Sequence, residues 1–200
     1  MLRSSFRLAA ILMFAGGIGV ATAGPQNLLT DPGFEHPPAP QGTFKVYEPG
    51  QEIGAWTVVG ASGNVALTST TEMDGEFVFE AHSGQGYVDL TGNCDCGAPS
   101  GVAQTVATIP GQTYQLTFWG SNPYFPGHGT TSQIQVYVGT TLIFTSLNKH
   151  GKGLEYQVWK KFSTSFVATD TASTISFING DPNGDFMNGL DDVRLVEAPN

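Results

Sequence analysis

Cysteine, basic residues and long apolar runs are all scarce in this sequence. Its only two cysteines, Cys94 and Cys96, lack the further Cys or His ligands of a structural zinc site. In an oxidising compartment we expect them to pair with each other, closing a small strained disulfide ring in a loop. Lys and Arg number 8 against 17 Asp and Glu. Such a surface repels nucleic acid and anionic lipid, and it is compatible with neutral ligands or divalent cations.

The longest apolar run lies at the amino terminus. Arg3 and Arg7 precede apolar residues from Leu8 to Val20, and small residues follow up to Ala23. This pattern predicts a secretory signal peptide over residues 1–23, whereas an uncleaved membrane anchor would need a longer run. No second run of spanning length follows, so we expect no membrane span. The expected product is one domain over residues 24–200, secreted or held at the periplasm or cell surface.

Helical periodicity is also missing, and the 26 Gly and 12 Pro separate short runs of β-branched and aromatic residues. Residues 101–122 predict two strands joined by a type II turn at 109–112, where Gly111 can adopt positive φ. Residues 56–59 and 64–68 predict a hairpin-like pair, and residues 173–179 and 189–196 predict a last pair. Residues 72–84 predict a loop with a hydrophobic plug. About ten strands at this spacing predict an all-β fold, an antiparallel two-sheet β-sandwich.

The order of several motifs resembles a known family. The motifs are NLLTDPGFE, GAWTVVG, GYVDLTG, GVAQTVATIPGQTYQLTFWGSNP, STISFINGDP and NGLDDVRL. This order is similar to the secreted domain-of-unknown-function family of plant cell-wall proteins and to its bacterial choice-of-anchor relatives. The resemblance implies a jelly roll of the galactose-binding-domain type, similar to carbohydrate-binding modules. It also implies that the protein binds a polysaccharide or glycan without cleaving it, often with a structural calcium ion.

The resemblance assigns calcium ligands at both ends of the domain. Glu35 and Asp192 match the positions that donate carboxylate oxygens, and calcium takes its remaining ligands largely from backbone oxygens and water. Strand alternation places Asp191 and Asp192 on opposite faces, so one of them should point inward or toward the seam. The alternative is that both are solvated charges at the rim. A second acidic stretch from Asp181 to Asp185 resembles the opening of an EF-hand, but Phe186 occupies the position that needs Gly, which favours a turn.

Alternation also predicts which polar and aromatic side chains face outward. Aromatic faces and amides are the groups that bind the C–H surface and the hydroxyls of a sugar. If the strands concerned are neighbours, the site is a groove, and the loop with Tyr124 and His128 is a rival location. Trp56 and Trp159 sit within apolar strand patterns, which predicts structural roles. The candidate carbohydrate-binding residues are Trp119, Tyr137, Gln135, Gln133, Gln115, Tyr87, Asp89 and Tyr124.

Catalytic motifs are not evident. Ser83 lacks the G-x-S-x-G nucleophile elbow, and the four His residues show no metal-binding spacing. We therefore expect a binding module and not an enzyme. One alternative is an extracellular surface or matrix protein that binds a protein partner, which a flat apolar patch would favour. A weaker alternative is a glycoside hydrolase, which needs two carboxylates across the scissile bond, such as Glu76 and Glu80.

Overall fold

The computed structural model describes residues 24–93, 99–123, 131–151, 154, 156–181 and 187–199. The predicted signal peptide, the expected Cys94–Cys96 disulfide and Tyr124 lie outside these residues. Among the residues that are described, none belongs to a helix long and apolar enough to cross a membrane.

Two six-stranded antiparallel sheets form the domain, and a two-stranded sheet lies beside them. Sheet A contains, in spatial order, β1 (Phe44–Tyr47), β4 (Val65–Ser69), β7 (Gly86–Asp89), β14 (Gly189–Glu197), β9 (Thr113–Asn122) and β12 (Val158–Val167). Sheet B contains β11 (Thr141–Thr145), β10 (Ile134–Val138), β13 (Ala172–Asn179), β8 (Gly101–Ala107), β3 (Trp56–Val59) and β2 (Glu52–Ile53). The small sheet pairs β5 (Met73–Asp74) with β6 (Phe77–Val78).

The core lies between sheets A and B and is built by alternate residues of each strand. In β9, Leu116 and Phe118 are buried while Gln115 is exposed, as a half-buried strand requires. The Phe118 ring contacts Phe162 of its own sheet and Phe177 of sheet B, with centroids 5.4 and 5.1 Å apart. The packing confirms the predicted all-β class, an antiparallel β-sandwich of the jelly-roll type.

The predicted turn at 109–112 is confirmed. The Gln112 N–H donates to the Ile109 carbonyl at 3.0 Å, and Gly111 has a φ of 83°. This turn does not close a hairpin, however, because β8 belongs to sheet B and β9 to sheet A. The Tyr114 hydroxyl accepts a hydrogen bond from the Ile109 N–H at 2.9 Å and so fixes the corner where the chain changes sheets.

Two other predicted pairs are wrong for the same reason. The strands β3 and β4 lie in opposite sheets, and so do β13 and β14. Alternation defines which residues of a strand face the core, but both sheets bury the same kind of face. Strands that follow each other in sequence can therefore lie across the core from each other instead of side by side.

The covering segment, residues 72–83, lies on the outer face of sheet A. Phe77 and Phe79 are buried against Tyr87 of β7, which confirms the predicted hydrophobic plug. The Glu80 carbonyl accepts hydrogen bonds from Trp159 Nε1 at 2.8 Å and Gln157 Nε2 at 3.2 Å. The outer face of sheet A is therefore largely enclosed where this segment crosses it.

Candidate functional site

An irregularity in β14 brings the chain's early residues against its last strand. The pairing of β14 with β9 shifts register between Asp191 and Arg194, and Asp192 has a φ of 47°. The Val193 N–H donates to the Pro32 carbonyl at 2.9 Å. A bulge of this kind redirects side chains that regular alternation would send to opposite faces.

Three carboxylates converge at this bulge. A Cβ built on Gly33 would lie 3.6 Å from Asp192 Oδ1, 3.7 Å from Asp191 Oδ1 and 3.9 Å from Glu35 Cγ. A Cβ on Gly84 would overlap the Glu35 carboxylate. As predicted, one of the two adjacent acids, Asp191, points inward and is fully buried. Regular alternation is interrupted at the bulge, however, so the carboxylates of Asp191 and Asp192 lie close together instead of on opposite faces.

Asp191 is the most deeply buried of the three. It is fully buried, and its two carboxylate oxygens accept the Asp192 N–H at 2.7 Å and the Ser83 N–H at 3.1 Å. Burial raises the pKa of Asp191 to about 8, and the negative charges of Asp192 and Glu35 add to that rise. An anionic Asp191 is costly here unless a cation accompanies it.

The covering segment contributes two residues that sequence reasoning left without a role. His82 Nδ1 lies 2.5 Å from Asp192 Oδ2, and Ser83 Oγ donates to Asp192 Oδ1 at 2.9 Å. Ligand atoms of His82, Asp191 and Asp192 all lie within 4.8 Å of one another. Nothing in the sequence spacing could have found His82, because 110 residues separate it from Asp192.

The donor set fits a hard divalent cation. Carboxylate oxygens are the ligands that calcium prefers, and the ion pairs of the described residues include none between these three acids and a Lys or Arg. Gly33 has no side chain, so the space next to the Asp191 and Asp192 carboxylates is left open on its side. Two of the residues predicted as metal ligands, Asp191 and Asp192, therefore lie together with His82, with ligand atoms within 4.8 Å of one another. The third, Glu35, borders the same space but is not part of that group.

The predicted carbohydrate-binding residues of sheet A are mostly covered. Trp119 is on the outer face, but the His82 ring stacks on it, with centroids 3.7 Å apart and planes inclined by 19°. Tyr87 is fully buried and Asp89 is 4% exposed. Both point outward from the sheet as predicted, yet the expectation of an exposed surface is wrong for them because residues 72–83 lie on top. Gln115 remains exposed farther along β9.

Three predicted residues lie on the opposite side of the molecule. They belong to β10 of sheet B or directly precede it, and all three are half-buried: Gln133, Gln135 and Tyr137. The Tyr137 hydroxyl donates to Gln135 Oε1 at 2.9 Å. The single groove that neighbouring strands would form is not present, because β9 and β10 belong to different sheets.

Gln135 and Tyr137 line a shallow depression of about 400 Å³ on the outer face of sheet B. Strand register places Ser176 beside Tyr137, and Ile178 beside Gln135. The described residues that line the depression are Val59, Gly60, Ala61, Pro99, Gln135, Tyr137, Gly139, Ser176 and Ile178. They include no carboxylate, histidine or cysteine.

Trp56 and Trp159 have the structural roles predicted for them. Trp56 is fully buried in the core, where its ring lies 5.2 Å from that of Phe34. Trp159 packs edge-on against Tyr87 with centroids 5.4 Å apart, under the covering segment.

Solved structures with similar folds come from proteins with different activities. A Stig cyclase, Fisc from Fischerella sp. TAU in complex with an indole compound, is 18% identical and matches with a TM-score of 0.61 over 86% of this chain and 97% of its own. The K3 adhesin domain of Lys-gingipain from Porphyromonas gingivalis is 17% identical, with a TM-score of 0.50 over 75% and 96%. At these identities the likeness shows the fold alone.

The carbohydrate-binding module TmCBM61, solved in complex with beta-1,4-galactotriose, is 21% identical over 86% of this chain and 99% of its own. The TM-score of this match is 0.47. A comparison with curated protein sequences gives no significant match.

A family assignment follows from the sequence match across the sandwich. The match covers residues 27–194, from the segment that contacts the β14 bulge to the last strand itself. The chain belongs to the family described as "Protein of unknown function (DUF642)".

Proposed function

We propose that the protein is a secreted, non-catalytic glycan-binding module with a structural calcium ion at the β14 bulge. The observation that carries the glycan proposal is the open depression on sheet B lined by Tyr137 and Gln135. Secretion rests on the signal-peptide pattern of residues 1–23.

The depression on sheet B suits a polysaccharide chain because Tyr137, the aromatic residue among its described lining residues, has the small residues Gly139 and Ser176 in the same lining. Tyr137 offers a ring for the C–H face of a sugar, and Ser176 beside it offers a hydroxyl. Gln135 Oε1 is occupied by the Tyr137 hydroxyl. Its Nε2 makes no hydrogen bond with the described residues, so this amide can donate to a sugar hydroxyl.

Binding without cleavage is favoured by the lining of the depression. Glycoside hydrolysis needs a pair of carboxylates across the scissile bond, and none of the described lining residues is acidic. The ligand should be neutral or cationic, because the chain carries 17 acids against 8 Lys and Arg.

Asp191 and Asp192 would hold the proposed calcium ion, and Glu35, which borders the same space, would join them as a third carboxylate once the ion is bound. When bound, it supplies the positive charge that offsets the repulsion among these carboxylates. Hydrogen bonds to these carboxylates connect separate segments of the chain at the site. The Glu35 carboxylate accepts the Gln85 N–H at 3.0 and 3.1 Å, while Asp191 accepts the Ser83 N–H. Asp31 orients this arrangement, since its Oδ1 accepts the Glu35 N–H at 2.9 Å.

Calorimetric titration of the mature chain with soluble galactan, xylan and cellulose oligosaccharides tests the glycan proposal. Tyr137→Ala should weaken binding about tenfold or more, as expected for an aromatic residue at the centre of a site. The matched control is Tyr156→Ala, because Tyr156 is 59% exposed and does not line the depression. A Tyr137→Ala variant that binds as tightly as the parent, or a parent that binds none of the glycans, would contradict the proposal.

A further inference from the structure

A second cleft lies on the other side of the sandwich, between the covering segment and the edge of sheet A. It has a volume of about 350 Å³, within the range of small-ligand sites. Phe44 of β1, Phe79 of the covering segment and Met187 provide apolar walls. The remaining described lining residues are Ala66, Thr68, Glu72, Met73, Asp74, Asp89, Gly92 and Asn93.

Asp89 lines this cleft, and its two carboxylate oxygens differ in their hydrogen bonds. The residue is 4% exposed, and its Oδ1 accepts the Thr91 N–H, the Thr91 hydroxyl and the Asn188 N–H at 3.0, 2.8 and 3.0 Å. Its Oδ2 receives no hydrogen bond from the described residues. Because Asp89 lines the cleft, a ligand bound there can donate to this oxygen.

Glu72 also lines the cleft. Its Oε2 is buried and has no hydrogen-bond partner. Desolvation, followed by the nearby charge of Asp74, raises the pKa of Glu72. Three carboxylates thus line one small cleft, and no Lys, Arg or His is among its described lining residues.

A single metal ion does not account for this arrangement. The His82, Asp191 and Asp192 cluster is the one group of three potential ligands within 4.8 Å that occurs in the described part of the chain. Glu72, Asp74 and Asp89 are therefore too far apart to coordinate one ion together. They surround a space that fits a larger cation with several donors, which an organic ammonium group provides.

We infer that this cleft binds an amino-sugar unit that carries a free, protonated amine. The ammonium group donates to Asp89 and Glu72, while the rings of Phe79 and Phe44 contact the C–H surface of the sugar. Thr68 and Asn93 offer groups for its hydroxyls. The choice of a sugar over other amines rests on the proposed glycan-binding function, but the site is separate from the depression on sheet B.

The test is titration of the full mature chain with a glucosamine tetrasaccharide and with its fully N-acetylated counterpart, at about neutral pH, where ordinary carboxyl groups are ionised. Acetylation removes the positive charge while keeping the sugar ring, so the acetylated form should bind at least about tenfold more weakly. Glu72→Gln and Asp74→Asn should each reduce binding of the glucosamine form by a similar factor. Asp89→Asn extends the series if it folds.

Glu76→Gln is the matched control, because Glu76 is an exposed acid of the same covering segment that does not line the cleft. Equal binding of the two tetrasaccharides, no binding of the glucosamine form, or equal effects of Glu72→Gln and Glu76→Gln would overturn the inference. Tyr137→Ala separates the two sites. Loss of neutral glycans alone in that variant supports the sheet B site, and retained glucosamine binding supports the cleft.

Discussion

The imidazole ring of His82 stacks on the indole of Trp119, with ring centroids 3.7 Å apart. The same imidazole places Nδ1 2.5 Å from Asp192 Oδ2. His82 therefore connects the covering segment to the carboxylate cluster and shields the ring that sequence reasoning assigned to a sugar. The relationship predicts that the covering segment, the cluster and Trp119 respond together to changes at His82.

We expect His82→Ala to expose Trp119 and to lower the free energy of unfolding by about 1 kcal/mol, the value of a ring stack. Acrylamide quenching of tryptophan fluorescence should increase because Trp119 becomes accessible to the quencher. Trp56 stays buried in the core and should not contribute to this increase. His36→Ala is the control, since the His36 side chain is 84% exposed. Unchanged quenching in His82→Ala would show that the stack does not shield Trp119 in solution.

Calcium should raise the unfolding temperature of the mature chain, and a chelator should lower it. A ligand at a hundred times its dissociation constant stabilises by about 2.7 kcal/mol, which corresponds to several degrees for a domain of this size. Glu35→Gln and Asp192→Asn should abolish the shift. Glu197→Gln changes an exposed acid at the end of β14 and should keep it. The calcium proposal is wrong if thermal unfolding is the same with calcium and with chelator.

Asp89 should make the protein less stable as pH rises from about 4 to about 7. Burial raises the pKa of Asp89 from 3.8 to about 6, against hydrogen bonds from Asn188 and Thr91 that lower it. The folded state therefore holds this proton more tightly than the unfolded chain does. The contribution of Asp89 to the free energy of unfolding is fully present below pH 3.8 and is lost as the pH rises through about 6. The total loss is about 3 kcal/mol.

The measurement is urea unfolding of the parent and of Asp89→Asn across this pH range, because the amide removes the titration. The difference in the free energy of unfolding between the two proteins should change with pH by up to about 3 kcal/mol. Groups common to both proteins, including Asp191, cancel in the difference. A difference in the free energy of unfolding that stays constant from pH 4 to pH 7 would show that burial does not raise the pKa of Asp89.

Phe118→Ala should be among the most destabilising core substitutions. Its ring contacts Phe162 in sheet A and Phe177 in sheet B, so its loss leaves a cavity between the sheets. We expect a loss of about 3–5 kcal/mol in the free energy of unfolding. Val167→Ala removes an apolar side chain that is 57% exposed and should cost much less. Similar urea midpoints for the two variants would contradict this description of the core.

Local structure was predictable because it depends on neighbours in sequence. The outward direction of Trp119 and Tyr137 follows from alternation, and the turn at Gly111 follows from its sequence Ile-Pro-Gly-Gln. The pairing of strands was not predictable, since neither alternation nor turn chemistry distinguishes a hairpin from a crossing between sheets. That missing information placed Trp119 and Tyr137 in one predicted groove, whereas they lie on opposite sides.

The carboxylate site was predictable in part. The resemblance to the family named Glu35 and Asp192, and the structure places both at the bulge. The positive φ of Asp192, which turns Asp191 into the same site, leaves no signature in an Asp-Asp pair. The cleft beside Asp89 was hidden for another reason: its walls come from segments far apart in sequence, and its depth depends on residues 72–83 lying over the sheet.

The central position of β14 in sheet A has a consequence for how the protein folds. The strand lies between β7 and β9, although it follows all the other strands of the described residues in sequence. Until residues 189–197 are available, β7 and β9 each present an edge without its partner, and sheet A is divided into two parts. Sheet A therefore cannot be completed before β14 pairs with β7 and β9. These pairings join distant parts of the sequence, which slows folding. A chain shortened before Gly189 would keep both edges open and would tend to aggregate rather than form a smaller sandwich.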